Sequence, residues 1–79
     1  MTWSYARNGL YISHQLRATA EGRLELLTVD FDGYATAEPV PDEYAGIAKQ
    51  MKLERRLRQR GWALEDFVSP RRPAEHAAA

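Results

Sequence analysis

Three turn signals divide the first half of the chain into short segments, and they limit what the chain can fold into. They are Asn8-Gly9, Glu21-Gly22 and Asp32-Gly33. Asn-Gly and Asp-Gly pairs favour tight hairpins, because glycine and asparagine tolerate the positive φ that two-residue turns require. Short segments between such turns predict β-strands. We therefore expect an antiparallel meander up to Pro39.

The segment from Leu10 to about Thr19 alternates between two classes of side chain. One set is mainly apolar, namely Leu10, Ile12, His14, Leu16 and Ala18. The other is mainly polar, namely Tyr11, Ser13, Gln15, Arg17 and Thr19. A period of two predicts a strand with one buried face. A two-residue turn at Asn8-Gly9 sets Tyr5 opposite Ile12 and Trp3 opposite His14.

The turn at Glu21-Gly22 decides which face of the third strand is buried. A two-residue turn sets Leu16 opposite Leu27, whereas a three-residue turn puts Thr28 and Asp30 against the apolar set. Because register follows burial, we expect the shorter turn. With another short turn at Asp32-Gly33, the predicted apolar face consists of Trp3, Tyr5, Leu10, Ile12, Leu16, Leu27, Val29, Phe31 and Tyr34.

A helix is predicted after the sheet. Pro39 cannot donate to a β-ladder, and Pro41 followed by two acidic residues is typical of a helix start. An apolar stripe at helical spacing is expected to cover the sheet, and it consists of Tyr44, Ile47, Ala48 and Met51. Gly46 beside this stripe permits a close approach to the sheet.

The second half of the helix does not continue that stripe. Leu53 and Leu57 fall on the opposite side, so either the helix breaks or rotates near Lys52, or these leucines face a partner. Gly61 suits a helix C-cap. The segment from Trp62 to Val68 is apolar enough to fold back on the body, and residues 69–79 predict a flexible tail.

These patterns predict an α+β fold made of one domain over residues 1–68. It is a four-stranded antiparallel β-meander covered on one face by a C-terminal helix, with a short apolar segment after it. Its first and fourth strands are edges, which leaves pairing between copies open. With 79 residues and no cysteine, disulfide and thiolate chemistry are excluded and a cytoplasmic location is expected. No apolar run approaches the ~20 residues of a membrane span, and the N-terminus lacks a signal-peptide layout.

Candidate catalytic and metal-binding residues are few. His14 lies on the apolar strand face, where a packed, hydrogen-bonded role is expected, and His14 with His76 does not make a metal-ligand set. No serine has a partner at a recognisable spacing. Asp30 and Asp32 are accounted for by an open sheet face and a turn. We therefore expect no enzyme activity, no metal and no cofactor.

Charge is strongly segregated along a chain whose net charge is zero. Residues 21–43 contain seven acidic side chains and one basic, whereas residues 49–60 contain six basic and one acidic. Lys49, Lys52, Arg56 and Arg60 recur at helical steps and line one side. One hypothesis is nucleic-acid binding through this helix, with Trp62 stacking on a base, using Lys49, Lys52, Arg55, Arg56, Arg58 and Arg60. The alternative is a solvated face whose side-chain stems cover apolar surface.

The sheet face away from the helix is a further candidate. The expected register places Tyr11, Leu24 and Leu26 there within a polar rim, which is typical of a small protein-binding patch. Nearby acids are able to mimic nucleic-acid phosphates in a basic groove of a protein partner. The predicted partner-binding residues are Tyr11, Gln15, Arg17, Leu24, Leu26, Asp30 and Asp32. Alternatively, residues 62–68 pack on this face and bury it.

The overall layout resembles that of small inhibitor proteins encoded by phages, in particular anti-CRISPR proteins. The resemblance extends over the whole chain and rests on its size, the missing cysteine, the Asn8-Gly9 and Asp32-Gly33 turns, the single helix and the polarised charge. Many anti-CRISPR proteins act without catalysis, by blocking the DNA-binding surface of an effector complex. The resemblance implies a non-catalytic protein-interaction module with a CRISPR effector complex as partner. It assigns no role to individual residues.

Overall fold

The computed structural model describes residues 1–69 and arranges them as a five-stranded antiparallel sheet with one helix on one side. The strand order is β4-β3-β2-β1-β5. The elements are β1 (Thr2–Arg7), β2 (Leu10–Ala18), β3 (Leu24–Val29), β4 (Ala35–Val40), α1 (Glu43–Gln59) and β5 (Ala63–Val68). The α+β class is confirmed, but the sheet has five strands and not four. The predicted tail falls mostly on residues 70–79, outside the described residues.

The extra strand, β5, comes from the segment that follows the helix. It pairs antiparallel with the outer edge of β1, so β1 is an inner strand and the edges are β4 and β5. Phe67 lies beside Trp3, with ring centroids 5.4 Å apart. The alternative in which this segment buries the far face of the sheet is therefore wrong.

The first hairpin matches its prediction in register. Tyr5 pairs with Ile12 and Trp3 with His14 across β1 and β2. The turn between these strands has φ of 50° at Asn8 and 78° at Gly9. Positive φ at both central residues is what a two-residue type I′ turn needs.

The second and third turns differ from the prediction, because each has a three-residue loop. The Thr19 backbone N–H donates to the Arg23 carbonyl at 2.6 Å, and the Asp30 backbone N–H donates to the Tyr34 carbonyl at 2.9 Å. Among residues 1–69, Asn8 is the only non-glycine residue with positive φ. The residues before Gly22 and Gly33 therefore do not form a type I′ turn, and these loops place a single glycine at the left-handed position.

The longer second turn reverses the faces of β3. Leu26, predicted to be exposed, is 2% exposed beneath the helix, and Leu16 pairs with it rather than with Leu27. Val29 pairs with Ser13 and points away from the helix. The prediction failed because β3 is apolar on both of its faces, so burial alone did not select a register. The three-residue third turn shifts the register by one residue again, and this second shift cancels the first. Thr36 and Glu38 of β4 therefore lie on the helix side of the sheet, as predicted.

Both ends of α1 have defined caps. The Asp42 side chain accepts a hydrogen bond from the Ala45 backbone N–H at 2.7 Å, as an N-cap residue does. At the other end, the Trp62 N–H donates to the Leu57 carbonyl at 2.9 Å and the Gly61 N–H to the Arg58 carbonyl at 3.1 Å. Gly61 has a φ of 89°, which completes a Schellman motif and confirms the predicted C-cap region.

The helix face that contacts the sheet is not the predicted stripe. Tyr44 is 85% exposed and Met51 is also exposed. The covered face instead carries Gly46, Gln50, Leu53 and Leu57, with Ile47 at its margin. The helix therefore neither breaks nor turns its leucines outward. Its buried face was hard to identify because a polar residue, Gln50, occupies the centre.

Gly46 brings the helix close to the sheet. A Cβ atom at this position would lie 2.6 Å from Cδ1 of the buried Leu16 and 3.3 Å from Cγ2 of Val40. Both distances are shorter than ordinary van der Waals contact, so a methyl group has no space there.

We expect Gly46→Ala to destabilise the protein although alanine is the better helix former. Overpacking costs about 1–3 kcal/mol, and the gain in helix propensity returns only about 1 kcal/mol. The free energy of unfolding from urea denaturation measures the balance. Ala48→Gly, on the exposed side of the same helix, is the control and reports the propensity effect alone. A Gly46→Ala variant more stable than the parent protein would contradict the close approach.

Candidate functional site

A buried polar network joins the helix to the middle of the sheet. Tyr5, His14 and Gln50 are all almost fully buried. The Tyr5 hydroxyl lies 2.6 Å from Glu54 Oε1, and Gln50 Nε2 lies 2.5 Å from that hydroxyl and 3.3 Å from His14 Nδ1. The network satisfies polar groups that would otherwise destabilise the core.

Proton positions in this network follow from its geometry. The Tyr5 hydroxyl donates its single proton to the Glu54 carboxylate, so its remaining partner must donate to it. The two N–H groups of the Gln50 amide therefore point to the Tyr5 oxygen and to His14 Nδ1. The neutral ring of His14 consequently carries its proton on Nε2. Burial lowers the pKa of His14, and burial followed by the Glu54 hydrogen bond raises the pKa of Tyr5.

We expect His14 to make stability depend on pH. Its pKa in the unfolded chain is near 6.5 and burial lowers it in the folded protein. Below that pH the unfolded chain binds a proton that folded His14 does not, so the free energy of unfolding falls as pH drops. The slope contributed by one site reaches at most about 1.4 kcal/mol per pH unit.

Urea denaturation between about pH 7.5 and 5 measures this slope, since the titration of an ordinary histidine falls in that range. His14→Gln is expected to lower stability at neutral pH and to remove the histidine contribution to the slope. His76→Gln is the matched control and should keep the slope. Loss of the slope in the His76→Gln variant instead would contradict the assignment.

An open groove runs between α1 and the β3–β4 side of the sheet. The side chains of β4 from Ala35 to Pro39 are all exposed. The helix lies over β2, β3 and β4, and it meets β4 closely at Val40, beside Gly46. The groove consists of two adjoining cavities of about 620 Å³ and about 310 Å³. Leu53 and Arg56 line both cavities. The groove therefore follows one flank of the helix along much of its length.

The cationic residues predicted to share one side of the helix line this groove. They are Lys49, Lys52, Arg56 and Arg60. Lys49 forms an ion pair with Glu38 across the groove, whereas the other three form no ion pair with any residue in the range 1–69. Two acids, Glu38 and Asp30, also line it. Because the cations outnumber the acids, the groove attracts anions.

Two other predicted nucleic-acid contacts lie elsewhere. Arg58 is on the opposite flank of α1, where its Nε is 3.6 Å from Glu54 Oε2. Arg55 is exposed and lines neither cavity.

The aromatic group at the end of the groove is Phe31 rather than the predicted Trp62. Trp62 belongs to the core, so its ring is not free to stack on a base. Phe31 is 54% exposed and packs on the Trp62 ring, with centroids 6.4 Å apart and planes inclined by 27°. The outer surface of Phe31 is thus a supported aromatic platform, and Tyr34, three residues later, is also exposed.

The predicted partner-binding residues do not form one surface. Three of them, Tyr11, Gln15 and Arg17, lie on the sheet face away from α1, as predicted. Arg17 is paired there with Glu25, with Nε and Oε1 2.9 Å apart. The other four are placed differently: Leu26 is buried under the helix, Leu24 is half-buried on that same side, Asp30 lines the groove and Asp32 accepts from the Tyr34 N–H in its turn.

Within residues 1–69, no group of three or more histidine or acidic side chains is placed to hold a metal ion. The helix of that range is too short and too polar to cross a membrane.

Comparisons with protein-family models, with curated proteins and with solved structures give no match for this chain. The anti-CRISPR resemblance stays a prediction.

Three residues of the site were not predicted as site residues from the sequence, namely Gln50, Thr28 and Phe31. The signal for Gln50 was its spacing, since Gly46, Gln50, Leu53 and Leu57 fall on one helical face. The positions of Thr28 and Phe31 depend on the three-residue turn, which was the alternative that lost to the shorter one. Glutamate before Gly22 was the available signal, because glutamate rarely adopts positive φ.

Proposed function

We propose that this protein binds single-stranded nucleic acid in the groove between α1 and the β3–β4 edge. The observation that carries the proposal is the line of cations along one helix flank, which leads to the exposed ring of Phe31. A strand places its phosphates against cations and stacks an unpaired base on an aromatic ring. This function is the alternative that the charge pattern of the sequence suggested.

Two features favour a single strand over a duplex. Four cations lie on the flank of α1 beside the sheet, while the solvent side of the helix carries Tyr44, Ala48 and Met51 with one arginine, Arg55. A helix that enters a major groove presents polar and basic side chains on its outermost surface. The platform at Phe31 is useful only to an unpaired base.

We expect paired neutralisation of groove cations to weaken strand binding. Lys52→Gln with Arg56→Gln removes two phosphate contacts, so affinity at low salt should fall about tenfold or more. The slope of log affinity against log salt should become shallower by about 1.4. Fluorescence anisotropy of a labelled single-stranded oligonucleotide measures both quantities.

The matched control for this experiment is Arg23→Gln with Arg55→Gln. Both residues are exposed and lie outside the groove, and their removal changes the net charge by the same amount. An equal loss of affinity in the two double variants would show that general charge, and not the groove, attracts the strand. No binding by the parent protein at low salt would reject the proposal.

We also propose a second function, a non-catalytic inhibitor that binds a nucleic-acid-handling complex through the open sheet face. It is supported by Tyr11, which is 59% exposed on that face. The same face carries the partly exposed Val29, opposite Ser13, and Leu27, opposite Gln15. Exposed tyrosine among apolar neighbours is typical of energetic centres in protein interfaces. This is the function that the resemblance to anti-CRISPR proteins implies.

Tyr11→Ala should weaken such binding at least about thirtyfold, since truncating an interface centre costs about 2 kcal/mol or more. The measurement is inhibition of DNA binding by purified CRISPR effector complexes. Tyr44→Ala is the matched control, because Tyr44 is an exposed tyrosine on the outer side of α1. Equal effects of the two variants, or no inhibition by the parent protein, would contradict this second function.

A further inference from the structure

The smaller cavity of the groove has the chemistry of a recognition pocket. It has a volume of about 310 Å³. Its walls are mostly apolar and aromatic, formed by Ile12, Phe31, Leu53, Leu57 and Trp62. Its polar lining residues are His14, Thr28 and Asp30 together with two arginines, Arg56 and Arg60. Apolar walls with a few fixed polar groups are typical of pockets for small planar ligands.

His14 contributes one unused hydrogen-bond donor to this pocket. The side chain is 2% exposed, and its Nδ1 is taken by Gln50. Its Nε2 has no hydrogen-bond partner in residues 1–69, yet no fully buried side-chain nitrogen or oxygen in that range lacks a partner. Nε2 is therefore the atom through which His14 reaches the pocket that it lines. The Gln50 contact fixes the proton on that atom, so His14 presents an N–H donor to the pocket.

Asp30 and Thr28 supply acceptors on the sheet side of the same pocket. Asp30 Oδ1 accepts from the Phe31 backbone N–H at 2.8 Å, which leaves Oδ2 without a partner among residues 1–69. The Thr28 hydroxyl donates or accepts as required. A donor and an acceptor thus line one cavity between apolar walls.

These groups discriminate between classes of ligand. A simple anion would be attracted by the two arginines, but it would place its charge near the Asp30 carboxylate and makes no use of the apolar walls. A purely apolar ligand would leave the His14 N–H and the Asp30 oxygen desolvated and unpaired. A nucleobase satisfies both requirements, because it has flat apolar faces and an edge that carries both acceptors and N–H donors.

We propose that this pocket holds one nucleobase of the bound strand, with the His14 N–H donating to the base edge and Asp30 accepting from it. The arginines at the pocket then contact the phosphate of that nucleotide, and Phe31 stacks on a base beside it. This inference rests on the proposed strand binding and adds recognition of an individual base.

The first test uses nucleoside 5′-monophosphates, with ribose 5-phosphate as the probe that lacks a base. Long-range nitrogen–proton NMR follows the His14 Nε2 resonance, and His76 is the internal reference. Nucleotides should shift the His14 signal, and ribose 5-phosphate should not. Equal shifts from both probes would reduce the pocket to a phosphate site and overturn the proposal. No shift from any nucleotide would also overturn it.

The second test uses Asp30→Asn, for which the proposal and simple electrostatics predict opposite results. Asparagine keeps the acceptor for the Phe31 N–H and replaces the free oxygen with a donor. If Asp30 accepts from a base, nucleotide affinity should fall about tenfold. If Asp30 is only a neighbouring negative charge, its removal should leave affinity unchanged or raise it, which would overturn the proposal. Thr28→Val provides a milder change in the same pocket.

Strand binding is scored separately, with an oligonucleotide and an abasic strand of equal length. If both bind equally and His14 is unperturbed, groove binding stands and the base pocket fails. If neither binds while nucleotides still shift His14, the pocket stands and the proposed strand binding fails. The two proposals are therefore distinguishable.

Discussion

The amide of Gln50 is the contact on which the structure of the site depends. It lies at the centre of the buried helix face and donates to side chains of two neighbouring strands, Tyr5 in β1 and His14 in β2. A buried polar network must be satisfied as a whole to be tolerated, so it fixes the rotation of α1 about its axis. That rotation turns the cationic flank toward β3 and β4, and it leaves the second nitrogen of His14 directed into the groove.

Local elements were predicted correctly where a residue type is compatible with only one backbone conformation. Asn8 and Gly9 both tolerate the positive φ that a two-residue turn requires, and the first hairpin has the predicted register. Asp42 and Gly61 define the helix ends for similar reasons. The next hairpin was mispredicted because β3 is apolar on both faces, so each register buries leucine. The φ preference of Glu21, which disfavours the two-residue turn, was the signal that separates the two registers.

The candidate site was likewise predictable only where it depends on local structure. Helical spacing alone placed Lys49, Lys52, Arg56 and Arg60 on one side, and the structure places them along one groove. What they face depends on strand register, which is a tertiary property. The one-residue shift of β3 brought Asp30 from the expected outer face into the pocket, and with it came Thr28. Gln50 was not predicted to be buried, because the burial of a polar residue depends on hydrogen-bond partners from other elements, here Tyr5 and His14.

The position of β1 between β2 and β5 has a consequence for biosynthesis. β1 is made first, yet its outer hydrogen-bonding edge is completed only by the segment that follows the helix. A nascent chain that already contains the hairpins and α1 still exposes that edge, and Trp3 lacks the neighbouring ring of Phe67. Unpaired edges recruit other strands. The ribosome-bound protein is therefore vulnerable to aggregation until β5 emerges. The pairing of β5 with β1 is the last step in completing the sheet.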